Sequence, residues 1–220
     1  MRKITMIQAA VFSIIFFIII ALGTSTTGLL LGRLPLGDFR GVALVATAIT
    51  LIYLYAFFVY RIFLILMPLE TGELEPGSRA EFVAQVNFLF YLMIFNSLIR
   101  THFLPIPLLR FVYLALGARL GRDTYSAGAI LDPPLTVIGD CCIIGHDAVL
   151  FAHAIEGSHF ALHRIQIGNN VTIGGMATIM PDVVIDDGAI VSAGAVVIKG
   201  TRIGTGEIWG GVPARRLKPH

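Results

Sequence analysis

Residues 167–203 read IGNNVTIGGMATIMPDVVIDDGAIVSAGAVVIKGTRI, and a large aliphatic side chain returns in this stretch at every sixth position. These positions are Ile167, Ile173, Ile179, Ile185, Val191, Val197 and Ile203. Four residues after each of the first six comes a small or β-branched residue, and Glu207 after the last marks the end of the array. Helices repeat every 3.6 residues and strands every two, so neither explains this pattern. The period predicts a parallel β-helix with three short strands per coil.

The same spacing occurs upstream at Ile138, Ile144 and Leu150, and in a weaker form at Leu120, Ser126 and Asp132. Cys142 falls on one of the small inward positions, which predicts a core residue. The array breaks once, because the eleven residues Glu156–Gln166 fit no coil. A solenoid usually extrudes such an insertion on one face, often the binding face.

The N-terminal half has the composition of a membrane protein. Hydrophobic residues make up 56% of the chain, and its mean hydropathy is +0.83. Two uncharged runs, Ile4–Gly32 and Gly41–Tyr60, are each long enough to cross about 30 Å of hydrocarbon. The first run is too long for a cleaved signal peptide, and a second follows directly. A net charge of +2 gives no reason to expect nucleic acid as a partner.

These patterns predict three regions: a two-helix transmembrane hairpin over 1–68, interfacial or docking helices over 69–118, and a β-helix over 119–220. Arginines after the second run favour that side as cytoplasmic, which puts both termini inside. The apolar stretch Phe82–Ile99 carries Gln85 and Asn87, which are costly against lipid, so we expect it at the interface or docked on the β-helix. The alternative is a third crossing, which would put the C-terminal half on the other side.

Three motifs carry a family resemblance: IGNNVTIGG at 167–175, VSAGAVVIK at 191–199 and GVPAR at 211–215. With them, 120–218 resembles the hexapeptide-repeat acyltransferases of the galactoside and maltose acetyltransferase type. The resemblance implies a left-handed parallel β-helix, a homotrimer with active sites between subunits, acetyl-CoA as co-substrate and no metal. The membrane half is more similar to the membrane-attached hexapeptide domains that follow peptide-synthetase modules, as in polylysine synthetase.

Four of the six histidines lie within 18 residues around the break: His146, His153, His159 and His163. Acyl transfer from a thioester to a hydroxyl or amine needs a base, and a neutral imidazole suits neutral pH. A carboxylate on the other ring nitrogen would hold the tautomer. His153 with Glu156, three residues later, predicts this pair, and the resemblance agrees that a histidine near the excursion acts as the base. His159 and His163 are expected to be loop residues.

The resemblance also implies a coenzyme A groove between neighbouring β-helices. The matching positions are Gly175, Ala193, Lys199, Arg215 and Lys218. Ile198 departs from the pattern, because the family more often has a polar residue there. A charged tail facing the membrane is an alternative interpretation of the basic residues at 215–218.

The sequence leaves two rival functions open. Gamma-class carbonic anhydrases share the fold and bind zinc through three histidines, and His146 stands at one ligand position. The other two positions hold Phe151 and Arg110, and neither phenyl nor guanidinium replaces an imidazole ligand. A non-catalytic trimeric membrane scaffold is the other rival. The acceptor, the acyl chain length and the choice of O- or N-acylation stay open, although a membrane anchor favours a membrane lipid or a lipid-linked glycan.

Overall fold

A computed structural model describes residues 4–101 and 103–217. Its N-terminal half is helical. The helices are α1 (Met6–Leu31), α2 (Arg40–Leu66, after a 3₁₀ turn at Gly37–Phe39), α3 (Arg79–Phe90), α4 (Asn96–Arg100) and α5 (Ile106–Ala115), and a π-helical segment, Tyr91–Phe95, joins α3 to α4.

Helices α1 and α2 form a closely packed hairpin. A Cβ on Gly23 would lie 2.4 Å from Cγ1 of Ile52, so glycine lets the two helices approach at this point. Within the described residues, three helical segments are long and apolar enough to cross a membrane: Met6–Leu31, Gly37–Leu66 and Arg79–Arg100. Only 22% and 6% of the most apolar windows of the first two are buried within the protein, against 56% for the third. The hairpin therefore leaves most of its apolar surface uncovered.

The third apolar segment, Arg79–Arg100, packs inside the molecule. Tyr60 of α2 donates a hydrogen bond to Oδ1 of Asn87 at 2.7 Å, and the hydroxyls of Tyr53 and Ser97 lie 2.9 Å apart. Asn87 and Ser97 thus find partners on α2, whereas the buried Gln85 donates to Glu81 of its own helix at 3.5 Å. The opposite side of α3 faces the β-strands, where Phe88 stacks on Phe160 with ring centroids 5.7 Å apart.

The C-terminal half contains three parallel sheets that wind around one core, as the six-residue period predicts. The first sheet holds β2 (Arg119–Leu120), β5 (Thr136–Ile138), β10 (Ile165–Ile167), β13 (Val184–Ile185) and β16 (Arg202–Ile203). The second holds β3 (Tyr125–Ser126), β6 (Ile143–Ile144), β11 (Thr172–Ile173), β14 (Ile190–Val191) and β17 (Ile208–Gly210), with β18 (Arg215–Arg216) antiparallel at its end. The third holds β4 (Ala129–Ile130), β7 (Val149–Leu150), β12 (Thr178–Ile179) and β15 (Val196–Val197).

The strand register confirms most of the weaker upstream hexads and corrects one. Leu120 pairs with Ile138, and Ser126 pairs with Ile144, as the spacing predicts. The next inward residue is Ile130, which pairs with Leu150, and not Asp132. Ile130 follows Ser126 by four residues, two fewer than the period, and the stretch with the 3₁₀ turn at Pro133–Leu135 is two residues longer, so Ile138 returns to the register. Asp132 therefore lies at a corner of the coil.

The break in the repeat is an ordered β-hairpin, where the sequence predicted a loop. Its strands are β8 (His153–Glu156) and β9 (His159–Leu162), and β1 (Gly72–Glu73) pairs antiparallel with β9 as a third strand. The hairpin starts at His153, and the coil resumes at Ile165 in β10. The predicted break, Glu156–Gln166, therefore begins three residues after the observed start of the hairpin and ends two residues after the observed end of the break.

Helix α5 covers the first coil of the β-helix. The Tyr113 hydroxyl donates to the Gly128 carbonyl at 2.7 Å and accepts from the Ile130 amide at 3.2 Å. Burial raises the pKa of Tyr113 to about 12, so the hydroxyl stays protonated and keeps its donor. Arg110, the position at which a carbonic anhydrase would need a histidine, donates to the Thr124 carbonyl at 2.7 Å.

Candidate active site

His153 is the first residue of the hairpin and stands at the corner between the third and first sheets. Its side chain is 25% exposed, so the imidazole reaches solvent while most of its surface is packed. Nδ1 lies 2.7 Å from Oδ2 of Asp132, whose side chain is 1% exposed. The same Oδ2 accepts a hydrogen bond from the Ala152 amide at 2.7 Å. A buried carboxylate on Nδ1 favours the tautomer with the proton there, which leaves the lone pair on Nε2 free to accept a proton.

Sequence reasoning missed Asp132, although one signal was available. Asp132 is the weakest member of the repeat, because a carboxylate occupies a position where the array has an aliphatic side chain. A buried acid at such a place needs a partner, and here the partner is the histidine of the next coil. Its second oxygen, Oδ1, is buried without a hydrogen-bond partner in the part of the chain that the structure describes. The His153–Asp132 contact therefore rests on Oδ2 alone.

Glu156 does not hold the His153 ring. It is the fourth residue of β8, opposite His159, and its side chain is 61% exposed. Its carboxylate lies 3.8 Å from Nζ of Lys199, a solvent-exposed ion pair. Three residues along an extended strand separate the two side chains, so a spacing of three does not bring them together as it would on a helix. The predicted His153–Glu156 pair is replaced by His153–Asp132.

Two aromatic rings flank the imidazole. Phe88 of α3 meets it in a T-shaped contact with centroids 4.8 Å apart and planes at 81°, and Phe151 stands 5.6 Å away at 45°. An open groove of about 260 Å³ lies beside the ring. The residues that line it are Phe151, His153, Ala154, Ile155, Glu156, Met180 and Pro181.

The residues matched to a coenzyme A groove fall on two corners. Gly175 and Ala193 stack on neighbouring coils at the corner between the second and third sheets, where the Gly194 amide donates to the Gly175 carbonyl at 2.9 Å. A Cβ on Gly175 would lie 3.1 Å from the His146 carbonyl oxygen, so this corner is crowded by the coil before it. Lys199 lies on the corner of His153 and Glu156.

Two further predicted residues follow the last coil. Arg215 is exposed in β18, opposite Gly210 of β17, at the end of the second sheet. Lys218 lies outside the described residues. One subunit thus brings together His153, Asp132, Glu156 and Lys199 at one end of the strands of the third sheet. Gly175 and Ala193 lie at the other end of these strands.

His146, His159 and Cys142 take no part in the His153–Asp132 contact. His146 is exposed, with Nε2 3.3 Å from Oδ2 of Asp147, and His159 contacts Oε1 of Glu73 on β1 at 2.5 Å. No group of three or more metal-binding side chains occurs within residues 4–101 and 103–217. Cys142 is fully buried, and burial raises the pKa of its thiol, which fits the predicted core role.

Residues 164–199 match the family model described as bacterial transferase hexapeptide (six repeats). The matched residues lie within the three parallel sheets, so the C-terminal half of the chain is a parallel β-helix with hexapeptide repeats. Over 83 residues the chain is 42% identical to gamma carbonic anhydrase 1, mitochondrial, of Arabidopsis thaliana, an alignment that covers 38% of this chain and 26% of that protein. It is 32% identical over 111 residues to the delta-poly-L-ornithine synthetase of Acinetobacter baumannii, covering 50% of this chain and 8% of that one.

A third relative is the putative acetyltransferase YvoF of Bacillus subtilis, 37% identical over 104 residues, which cover 46% of this chain and 59% of YvoF. The chain spans about a quarter of the Arabidopsis protein and less than a tenth of the synthetase. The likeness to all three therefore covers only part of each protein.

Proposed function

We propose that the chain is a membrane-anchored acyltransferase, which moves an acyl group, in the simplest case acetyl, from a coenzyme A thioester to a hydroxyl or amine of a membrane lipid or lipid-linked glycan. The observation that carries this proposal is the His153–Asp132 contact at the mouth of an open groove. It has the parts that general-base catalysis needs, namely an accessible imidazole and a buried carboxylate that orients it. Likeness to an acetyltransferase and to the bacterial transferase hexapeptide model supports the same class.

The reaction follows from this geometry. Nε2 of His153 accepts the proton as the acceptor oxygen or nitrogen attacks the thioester carbonyl, and Asp132 stabilises the imidazolium that forms. The carbon–sulfur bond then breaks, and the leaving thiolate takes the proton back from Nε2 to give free coenzyme A. The new bond is an ester or an amide. Backbone amides at the coil corners are candidates to stabilise the oxyanion of the intermediate.

A carbonic anhydrase fits less well in spite of the higher identity to the Arabidopsis protein. His146 would be one zinc ligand, but its imidazole contacts Asp147. Of the two other ligand positions, Phe151 packs its ring beside His153, and Arg110 is hydrogen-bonded to the first coil. Tetrahedral zinc in such a site requires three protein ligands and a water. The side chains at these positions do not fit that requirement.

Within this proposal the β-helix is left-handed and assembles as a homotrimer. His153 and the pair Gly175–Ala193 lie at opposite ends of the strands of the third sheet, so one subunit does not bring them together in one site. A heterologous threefold contact between sheet edges would put the His153 corner of one subunit beside the Ala193 corner of the next. Lys199 and Arg215, with Lys218, would then be available to the phosphates of coenzyme A.

The membrane assignment rests on the helical half. The hairpin of α1 and α2 is long, apolar and mostly uncovered, so we place it across the cytoplasmic membrane, with the β-helix on the cytosolic side where acyl-coenzyme A is found. Helix α5 docks on the β-helix through Leu109 and Tyr113. Phe111 of α5 and Phe103, which precedes the helix, are exposed. We assign this outer face to the bilayer surface.

A comparison of two histidine variants tests the function. Purified protein in lipid nanodiscs is given labelled acetyl-coenzyme A and a membrane extract from the source cells, and transferred label is counted. His153→Ala should lower transfer by roughly 10²–10⁴-fold, the usual contribution of general-base catalysis. His146→Ala is the matched control, because its exposed imidazole contacts Asp147 and not the buried Asp132, and its loss should have a small effect. The reverse order of effects would contradict the assignment and reopen a metal site at His146.

A further inference from the structure

His153 belongs to the β-helix, but one of the two rings against it comes from the helical half. Phe88 lies in the middle of the apolar segment Arg79–Arg100, and its contact with the imidazole is the closer one, at 4.8 Å against 5.6 Å for Phe151. No other ring from the helices contacts His153 in the described part of the chain. The candidate base is therefore packed between the two halves of the protein.

A single hydrogen bond does not fix an imidazole. The bond from Nδ1 to Oδ2 of Asp132 restrains one ring atom, and coupled changes of χ1 and χ2 can still tilt the ring about that atom, because χ2 of histidine is a broad torsion. The nearly perpendicular contact with Phe88, at 81°, and the contact with Phe151 restrict this tilt. The direction in which Nε2 points thus depends on where Phe88 stands.

Phe88 is itself held in place by contacts on both sides. Towards the β-strands, its ring stacks on Phe160 of β9, which is 2% exposed. Towards the membrane hairpin, the neighbouring Asn87 accepts the hydrogen bond of Tyr60, and Phe90 packs against Phe12 of α1 with centroids 5.4 Å apart. These contacts connect the position of Phe88 to both α1 and α2.

We propose that Phe88 is a positioning residue for His153, so that the membrane half takes part in the active site and is more than an anchor. This inference rests on the proposed acyl transfer. The bacterial transferase repeats over 164–199 do not include α3, so the contribution belongs to the membrane half of this chain. Phe88 touches no reacting atom, and it acts through the direction of the imidazole.

The test compares three variants of the full chain in nanodiscs, with labelled acetyl-coenzyme A as donor and the membrane extract as acceptor. In Phe88→Ala the apparent kcat should fall by roughly 10- to 100-fold, since a misplacement of about 1 Å can cost two orders of magnitude, while KM for acetyl-coenzyme A stays unchanged. Phe88→Leu, which restores most of the bulk, should recover most of the lost kcat.

Phe95→Ala is the matched control. Phe95 lies in the same apolar segment, is 1% exposed and stacks on Phe57 with ring centroids 5.0 Å apart, and it takes no part in the contacts that hold Phe88. It should lower the unfolding temperature at least as much as Phe88→Ala and leave kcat per folded protein near the starting value. An equal loss of kcat in both variants would overturn the inference, because the effect would then be general loosening of the helices.

The outcomes also separate the two levels of the argument. If His153→Ala abolishes transfer and Phe88→Ala does not alter it, the positioning role is refuted and the proposed function stands. If His153→Ala has no effect, the proposed function itself is refuted. Should Phe88→Ala fail to fold, Phe88→Leu and Phe88→Val replace it. The kcat should then be lower for valine, which has the shorter side chain, than for leucine. Equal kcat values for the two variants would refute the positioning role.

Discussion

Replacement of Asp132 by asparagine is the sharpest perturbation of the proposed catalytic pair. Asparagine keeps the size of the side chain, and an oxygen at the Oδ2 position can still accept from both the Ala152 amide and Nδ1 of His153. The negative charge that stabilises the imidazolium is lost, and the NH₂ group lies at the buried Oδ1 position, which has no hydrogen-bond partner in the described part of the chain. The imidazole would keep its place and lose most of its ability to accept a proton from the acceptor. The general-base contribution, on the order of 10²–10⁴-fold, corresponds to about 3 to 5 kcal/mol of the activation barrier.

The matched variant is Glu156→Gln, because sequence spacing favoured Glu156 for the same role. Glu156 is exposed, and its one ion pair, with Lys199 at 3.8 Å, belongs to a class worth about 0.2–1 kcal/mol. Its loss should therefore cost at most roughly fivefold in rate. Both variants are assayed for label transfer from acetyl-coenzyme A, with unfolding temperature as the check on folding. A larger loss in Glu156→Gln than in Asp132→Asn would refute the assignment of the carboxylate.

Two further predictions concern the end of the β-helix and the assembly. Glu207 accepts hydrogen bonds from the indole of Trp209 at 2.8 Å and from the Gly204 amide at 3.0 Å, and these hold its pKa below its ordinary range. Since the folded pKa is the lower one, this stabilisation is present above about pH 4.3 and is lost as the pH falls through the folded pKa. Fluorescence of the single tryptophan should thus change only below about pH 4.3, and Glu207→Gln should remove the change; a transition above that pH would contradict the assignment. Co-expression of His153→Ala with Ala193→Trp subunits should restore roughly a quarter of the activity if each site joins two subunits at random, and none if it lies within one.

The β-helix was predictable in detail because its period is encoded in every coil. The inward positions Ile173, Ile179 and Val191 are fully buried. Ile173 pairs with Val191, and Ile179 pairs with Val197, in the register that a step of six requires. The error at Asp132 has a physical origin. The corner after Ser126 is two residues short, and the stretch with the 3₁₀ turn of Pro133–Leu135 restores those two residues. A rule that counts in sixes therefore misplaces only the strand between them.

The candidate site was only half predictable, for a related reason. His153 was indicated by the crowding of histidines at the break, which is a local signal. Its partner lies 21 residues earlier, one coil before it, and Phe88 lies 65 residues earlier on a helix. Local spacing favoured Glu156 because it is near in sequence, whereas the coil brings together residues that are about eighteen to twenty apart. The hairpin was also hidden, since its third strand, Gly72–Glu73, comes from the connection between α2 and α3.

That third strand bears on how the two halves work together. The helical half reaches the hairpin at two separate points: β1 pairs with β9 along its edge, with Glu73 against His159, and Phe88 packs between His153 and Phe160. Both contacts fall on the one segment that leaves the β-helix, and that segment begins with the proposed base. An anchor that only held the domain near the bilayer would need neither contact, because a flexible tether raises local concentration equally well. These two contacts therefore favour a helical half that sets the geometry of the proposed site, and the Phe88 variants measure that effect directly.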